Sequence, residues 1–458
     1  MKFASGDVRI ADGSRTQFPS RFNDPVLALI SRLWPRVRSH AKRAVWAVAD
    51  QGINPLVQVA LTPYLLGRLG KVDFGIWALA NTFLNLSQLV SFGAGIAATK
   101  HISADLAIGA KSEAISATRS ALTVALLGGA AAALSTWIFG PKIAATFFVQ
   151  MGNPEHVASI VALSGAAAAI QEIDNIYAGS LRGAERFDLC AKIEVPCRVF
   201  MGVAIALLCA RTPNVVTLFS GLILMMGLKA ALKGNQVRRM FQSSSCFFPS
   251  TSLHSIRRVL RFGVWQWFQS AGTVLFSVTD QLIIGSLLGA TSLTSYSVCL
   301  QIAQYVHVIP SVMTQVIFPR VSALGPQLEA GLGNEILRSA TAFSVGIALL
   351  LGVPIAILSY PILQFWIGTN FAVENHWLLT ILVLVHVVLA ANIGAYFVLL
   401  GSDRAARSAG IVLSAGMIQS ALAIIVAPLG ILAVGCNRFL YALLTLCLYP
   451  AAKFKHRG

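Results

Sequence analysis

Runs of about twenty mostly apolar residues recur from one end of this chain to the other, and that is the feature its fold has to satisfy. A helix rising 1.5 Å per residue needs about twenty such residues to cross roughly 30 Å of hydrocarbon. Twelve stretches meet that need, at 44–66, 75–99, 120–140, 156–178, 193–210, 213–230, 262–285, 294–318, 339–360, 377–400, 409–427 and 430–450. Only 12% of the 458 residues are charged and 56% are hydrophobic, so the bilayer is the solvent to reason with. The expected fold is an all-α polytopic membrane protein of about twelve transmembrane helices. The last pair is the least defined, because the uncharged run from Ser408 to Asn437 is long for one helix and short for two; Pro428 and Gly430 argue for a break there.

A formal charge of +17 would suggest nucleic acid in a soluble protein, but in a membrane protein it must first be sorted by side. Thirty of the 35 Lys and Arg residues fall on one side of these spans, four on the other (Arg68, Lys71, Lys142, Arg211), and Arg438 lies inside a span. By the positive-inside rule both termini are expected in the cytoplasm. Residues 1–43 then form a basic cytoplasmic segment, 44–230 a first six-helix bundle, 231–261 a basic linker, 262–450 a second bundle and 451–458 a tail. No cleaved signal peptide is expected, and the seven cysteines show no CxxC spacing, so neither disulfides nor a metal site is inferred.

The two halves look related. Leu181-Arg182-Gly183-Ala184-Glu185-Arg186 follows the fourth span, and Leu399-Leu400-Gly401-Ser402-Asp403-Arg404 follows the tenth, 218 positions later. At the same offset Leu66-Gly67 matches Ile284-Gly285, with Gly70 and Gly289 close behind. Six spans per unit make this a parallel repeat, and substrate paths in repeat transporters run at the repeat interface.

These residues resemble a known family, the Wzx-type polysaccharide flippases of the MOP superfamily, which also holds the MATE drug exporters. The resemblance is carried by Leu65-Leu66-Gly67-Arg68-Leu69-Gly70 through Asp73-Phe74-Gly75, by Gly93-Ala94-Gly95-Ile96-Ala97, by Leu181 to Phe187, by Asp280-Gln281-Leu282-Ile283-Ile284-Gly285, and by Phe318-Pro319-Arg320. It implies two six-helix bundles in a MATE-like V around a solvated, often cationic cavity. It further implies export of undecaprenyl-diphosphate-linked oligosaccharide to the periplasmic leaflet of a bacterial inner membrane by alternating access. Polymerase and chain-length proteins of the same pathway are the partners it suggests. The glycan does not carry over.

Ionisable groups inside the bilayer cost about 2.5–3.5 kcal/mol each on insertion scales, so each needs a partner, water or a function. Asp50, Glu172, Asp174 and Asp280 are the candidates for coupling to H+ or Na+. Glu172 and Asp174 are about 200° apart on a helix, so at most one faces a cavity. Arg438 and Arg198 are candidates for the substrate diphosphate, since guanidinium matches phosphate oxygens, although Arg198 sits where a long side chain can snorkel. Lys100 and Arg320 close the second span of each half and are candidates for gathering a diphosphate at the entry, against the plainer reading as positive-inside anchors. His307 and His386 are read as packing residues.

No Walker A motif, HExxH or metal-ligand cluster occurs, so no cofactor and no catalytic residue is assigned. A cation exporter would want a carboxylate-lined cavity. A membrane polymerase or ligase would want a larger loop than 141–155 or 361–376. The chain is therefore expected to be a transporter, not an enzyme, and not a nucleic-acid binder.

Overall fold

The computed structural model describes the backbone of residues 25–86, 89, 93–152, 154–250, 252–315, 321, 332–402 and 404–454. Side chains within these are described from Ile53 onward, except at 54, 55, 262, 263, 265, 266, 269 and 405. Among the described residues the secondary structure is entirely helical: α1 (Pro25–Asn85), α2 (Ala94–Ala107), α3 (Lys111–Phe147), α4 (Pro154–Gly183), α5 (Phe187–Arg211), α6 (Val215–Phe241), α7 (Leu253–Leu287), α8 (Gly289–Ala303), α9 (Tyr305–Thr314), α10 (Leu332–Ile357), α11 (Ser359–Trp366), α12 (Thr369–Ala390), α13 (Asn392–Gly401), α14 (Ala405–Val426), α15 (Ile431–Thr445) and α16 (Leu448–Ala452). Residues 1–42 form one compact unit and 43–458 another, and the second holds the helix bundle and its cavity.

Nine helices among the described residues are long and apolar enough to cross a membrane, which makes this a multi-pass membrane protein. The others that the hydropathy predicts are divided locally. Span one and the first part of span two run through α1, which changes direction at Gly70 (φ 77°), span two ends in α2, and span eight is split into α8 and α9 at Gln304. The last apolar stretch is two helices. A 3-10 turn at Ala427–Leu429 and Gly430, at φ 102°, separate α14 from α15.

Gly70 at the turn within α1 and Gly289 at the start of α8, which the repeat aligns, both have positive φ, 77° and 82°, which a residue with a Cβ adopts at a cost. The connection around 231–261 is mostly helix: α6 continues to Phe241 and α7 begins at Leu253 behind a Ser252 cap. Hydropathy ends the sixth span where lysines appear, yet Lys229 and Lys233 are buried inside α6.

Packing follows small residues. α4 lies against α2 with Gly179 over the Gly95 carbonyl, where a Cβ would collide, and Thr99 Oγ1 donates to Gly179 O at 3.0 Å. One large core joins both helix sets, bringing Leu65, Leu69, Phe74 and Met151 together with Ile284, Ala290 and Leu293. A second core lies mainly among α2–α4 and α6, and a third mainly among α7, α10 and α12–α16.

Candidate transport cavity

A cavity of about 600 Å³ lies between α1, α2, α4, α5 and α6 on one side and α7 and α8 on the other. Its wall is rich in carboxamides. From the first repeat come Gln58, Asn81 and Asn85 of α1 and Gln171 and Asn175 of α4; Gln281, Gln301 and Gln304 face them from the second. Among the described residues three ionisable side chains also line it: Glu172, Arg182 and Arg198.

Several of these groups are held in place. On α4, Gln171 Nε2 donates to Asn175 Oδ1 at 3.0 Å and Asn175 Nδ2 to Glu172 Oε1 at 3.4 Å. Two bonds cross between the repeats: Thr62 Oγ1 donates to Gln301 Oε1 at 2.8 Å, and Thr82 Oγ1 to Gln281 Oε1 at 2.9 Å. Trp77 lines the wall with its ring edge-on to Phe219 at 5.8 Å.

Behind the cavity wall, α4, α5 and α6 share a buried ionic cluster. Lys233 Nζ lies 2.9 Å from Asp174 Oδ2 and 2.5 Å from Glu194 Oε2, while Lys229 Nζ lies 3.0 Å from Asp174 Oδ2 and 3.1 Å from Glu194 Oε1. Arg198 Nε completes it, 2.6 Å from Glu194 Oε1. Three cations meet two carboxylates here, and the member of the cluster on the cavity wall is Arg198.

A second buried network sits in α7, α8, α14 and α15. Arg438 Nη1 is 2.8 Å from Asp280 Oδ2 and 3.0 Å from the Tyr296 hydroxyl, and the guanidinium stacks 3.9 Å from the Phe276 ring centre. Tyr296 and Gln419 also donate to Asp280, at 2.8 and 2.6 Å. Asp280 and Arg438, singled out for different roles, are thus one ion pair. Arg438 is 1% exposed and does not line the cavity, which corrects the expectation that it meets a diphosphate. Its charge is used to let Asp280 exist in a low-dielectric interior.

The remaining candidates separate clearly. Glu172 adjoins the cavity but is fully buried, and Asp174 faces α6, where it is a lysine partner and not a cavity carboxylate. Arg198 is on the wall. Lys100 is exposed on α2, one residue past Thr99 of the lining. Arg320 and the side chain of Asp50 lie outside the described residues. Sequence reasoning missed Glu194, Lys229 and Lys233. Their signal was a pair of four-residue spacings, Glu194/Arg198 and Lys229/Lys233, which places each pair on one helix face. Arg182 was read only as part of a repeat motif, and the carboxamides drew no attention because none carries charge.

The repeats also meet away from the cavity. Near the Gly70 turn, Lys71 Nζ pairs with Glu374 Oε2 at 2.7 Å, Thr294 Oγ1 donates to Lys71 O, and Trp366 Nε1 donates to Val59 O at 3.0 Å. Gly75 leaves no room for a Cβ against the Ala290 carbonyl. At the other end Arg258 forks onto Asp105 at 2.7 and 3.2 Å, and Trp267 Nε1 donates to Leu89 O at 2.6 Å.

Against known proteins, the model of the polysaccharide biosynthesis protein family matches residues 65–375, well over half of the chain and nearly all of the cavity lining. The chain belongs to that family. A curated relative of this polysaccharide biosynthesis protein is a candidate O-antigen transporter of Shigella flexneri, 20% identical over 355 residues, covering 75% of this chain and 80% of the relative. Among solved structures, an inward-facing multidrug resistance MATE transporter of the MOP superfamily superposes with a TM-score of 0.68 at 14% identity, over 89% of this chain and 97% of that one. A MOP superfamily transporter from Pyrococcus furiosus gives 0.61 at 13% identity, over 90% and 93%. The fold is that of MOP superfamily transporters, and the Wzx-type resemblance read from the sequence is borne out.

Proposed function

We propose that this polysaccharide biosynthesis protein flips an undecaprenyl-diphosphate-linked oligosaccharide from the cytoplasmic to the periplasmic leaflet of a bacterial inner membrane, by alternating access. The observation that carries this reading is the cavity at the repeat interface, where carboxamides line the wall together with Arg182 and Arg198. Amides donate to and accept from hydroxyls, while guanidinium suits phosphate oxygens, so one wall offers complements to both polar parts of such a cargo. The printed name of the Shigella flexneri relative points the same way.

With the termini in the cytoplasm, Arg182 and Arg198 stand near the cytoplasmic end and the Lys71–Glu374 pair closes the periplasmic end. The cargo's lipid stays in the bilayer while its polar head enters sideways. Glu172, a fully buried carboxylate beside the cavity, is the strongest site for proton or sodium coupling, because alternating access would change its contact with water. Asp280 is the second, as its pair with Arg438 can exchange a proton for a change in helix packing.

A cation exporter would depend on Glu172 alone against two arginines on the lining. A membrane enzyme would need a reaction centre that these amides do not provide.

The test is complementation. Deleting the gene is expected to abolish the surface glycan while complete lipid-linked units accumulate on the cytoplasmic leaflet, and Arg198→Ala at normal protein level is expected to reproduce the defect. Units that reach the periplasm but stay unpolymerised would replace the flippase with an enzyme of the same pathway.

A further inference from the structure

The connection between the two repeats is more closely built than a tether. After α6 ends at Phe241, a 3-10 turn at Ser244–Phe247 leads into extended backbone at Phe248, and α7 begins at Leu253. Cys246 is fully buried in the core of α2–α4 and α6. The Phe247 ring lies edge-on to Tyr177 of α4 at 6.3 Å and over Gly234 of α6, where a Cβ would crowd it. Beyond the turn, α3 meets the backbone directly. Arg119 Nε donates to Phe248 O and Arg119 Nη2 to Pro249 O, each at 3.2 Å. Ser250 N donates to Arg119 O at 3.2 Å and to Thr123 Oγ1 at 2.8 Å, and the same hydroxyl lies 3.0 Å from the Ser250 carbonyl. Pro249 has no N–H to satisfy.

This irregular backbone lies at membrane depth. Between Arg119 and Lys142, α3 carries no charged residue. That run is about 33 Å long at 1.5 Å per residue, little more than the roughly 30 Å of hydrocarbon. Arg119 therefore marks the edge of the hydrocarbon, and Thr123 lies one turn inside it. The same level is marked on α6. Leu224, Leu228 and Leu232 form an exposed apolar stripe at four-residue spacing, and Arg238 and Arg239 follow it, also exposed. Gly234, beneath Phe247, falls between stripe and arginines. Non-helical backbone is tolerated at such depth only where protein satisfies its polar groups, which is what Arg119 and Thr123 do. Outward from this frame the Phe248 side chain stands 63% exposed.

We infer that residues 244–250 are an interfacial strap whose Phe248 seats in the lipid leaflet, and that Arg238 and Arg239 beside it bind the phosphates of anionic phospholipids. Ser243 N donates to Arg238 O at 3.2 Å, which sets the strap next to those arginines. Residues 231–261 hold no Asp or Glu to compete for them. An aromatic ring at the boundary with cations above it is the pattern of segments that lie in a membrane surface. Each arginine near an anionic leaflet strengthens binding by about fivefold. By the positive-inside rule the leaflet is the cytoplasmic one. The strap is fastened to α3, α4 and α6, so the lipid holds the first repeat. None of this depends on the cargo proposed above.

The experiment uses the full-length chain, its native cysteines replaced by alanine, in nanodiscs of phosphatidylcholine and phosphatidylglycerol. Nitroxides at Phe248→Cys, Leu127→Cys and Ile108→Cys report access of oxygen, which concentrates in lipid, against a water-soluble nickel chelate. Leu127 is exposed on α3 one turn past Thr123, and Ile108 is exposed in the turn between α2 and α3. The label at 248 should read like the one at 127. If it reads like the one at 108, the surface faces water and the strap is overturned. A second arm titrates phosphatidylglycerol into the protein in neutral detergent and follows the rise in melting temperature. Arg238→Gln with Arg239→Gln should raise the half-saturating concentration about thirtyfold. Arg338→Gln, at an exposed position on α10, should leave it unchanged. The pair Arg238→Lys with Arg239→Lys keeps the charge and should keep the wild-type midpoint, which separates lost charge from a damaged fold. No shift for the glutamine pair, or an equal shift for Arg338→Gln, would overturn the phospholipid site.

Discussion

Arg438 shows how far a single side chain's role depends on its partner. Taken alone, an arginine two turns inside a span invites a phosphate; with Asp280 at 2.8 Å it is a structural counter-ion. Removing one partner of a buried pair leaves the other charge stranded, at about 3–5 kcal/mol. Arg438→Ala should therefore lower the melting temperature in detergent, and the neutral pair Asp280→Asn with Arg438→Gln should recover most of the loss. If Arg438→Ala melts like wild type but binds cargo poorly, the diphosphate role would return. The cluster around Lys233 behaves in the same way. Lys233→Met alone strands Asp174 and Glu194 beside one fewer cation, and should cost a similar amount. Adding Asp174→Asn should restore folding, measured in the same melts. Arg198 differs, being one-fifth exposed and part of the cavity wall. Its loss should reduce transport more than stability.

Among the elements, α1 and α8 depend on glycine for their approach. Gly75 meets the Ala290 carbonyl with no space for a side chain. Gly75→Val should force the helices apart at an overpacking cost of about 1–3 kcal/mol and leave that end of the cavity open. A cysteine placed at Thr294 should then label with an impermeant reagent faster than in the parent. What was legible beforehand divides along the same line. The all-helical membrane character and the break at Gly430 follow from hydropathy and from a backbone conformation that favours glycine, which are local properties. The α4–α5–α6 ionic cluster was hidden because hydropathy treats every lysine as an end of a span. In a bundle, two lysines four apart facing two carboxylates cancel and stay inside. The carboxamide wall was illegible for another reason: it is assembled from residues as far apart as Gln58 and Gln304, each unremarkable in its own helix.

At the scale of the second unit as a whole, the repeats are joined across the Gly70 end by a pair that water still reaches. Lys71 and Glu374 are 39% and 56% exposed, and such pairs contribute about 0–1 kcal/mol. Lys71→Glu should barely move the melting temperature yet slow transport by a few-fold, by shifting the balance between closed and open forms. Lys71→Glu with Glu374→Lys should recover the rate. Cysteines at the same two positions should arrest transport when oxidised and release it on reduction.

The two deep ionic networks each belong to one set of helices: one joins α4, α5 and α6, and the other α7, α8, α14 and α15. Between the sets run hydroxyl-to-amide bonds such as Thr62–Gln301, indole-to-carbonyl bonds and pairs that reach water. A rocking motion therefore carries the two deep networks intact within their own helix sets, and among the described ion pairs that join the sets, Lys71–Glu374 and Arg258–Asp105, each has a cation that water reaches. The joint opens by exchanging such bonds for water, the neutral ones worth about 1 kcal/mol each. Its barrier should be low and shallow in temperature, so that a cycle of the machine is timed by the arrival and release of cargo instead of by the hinge.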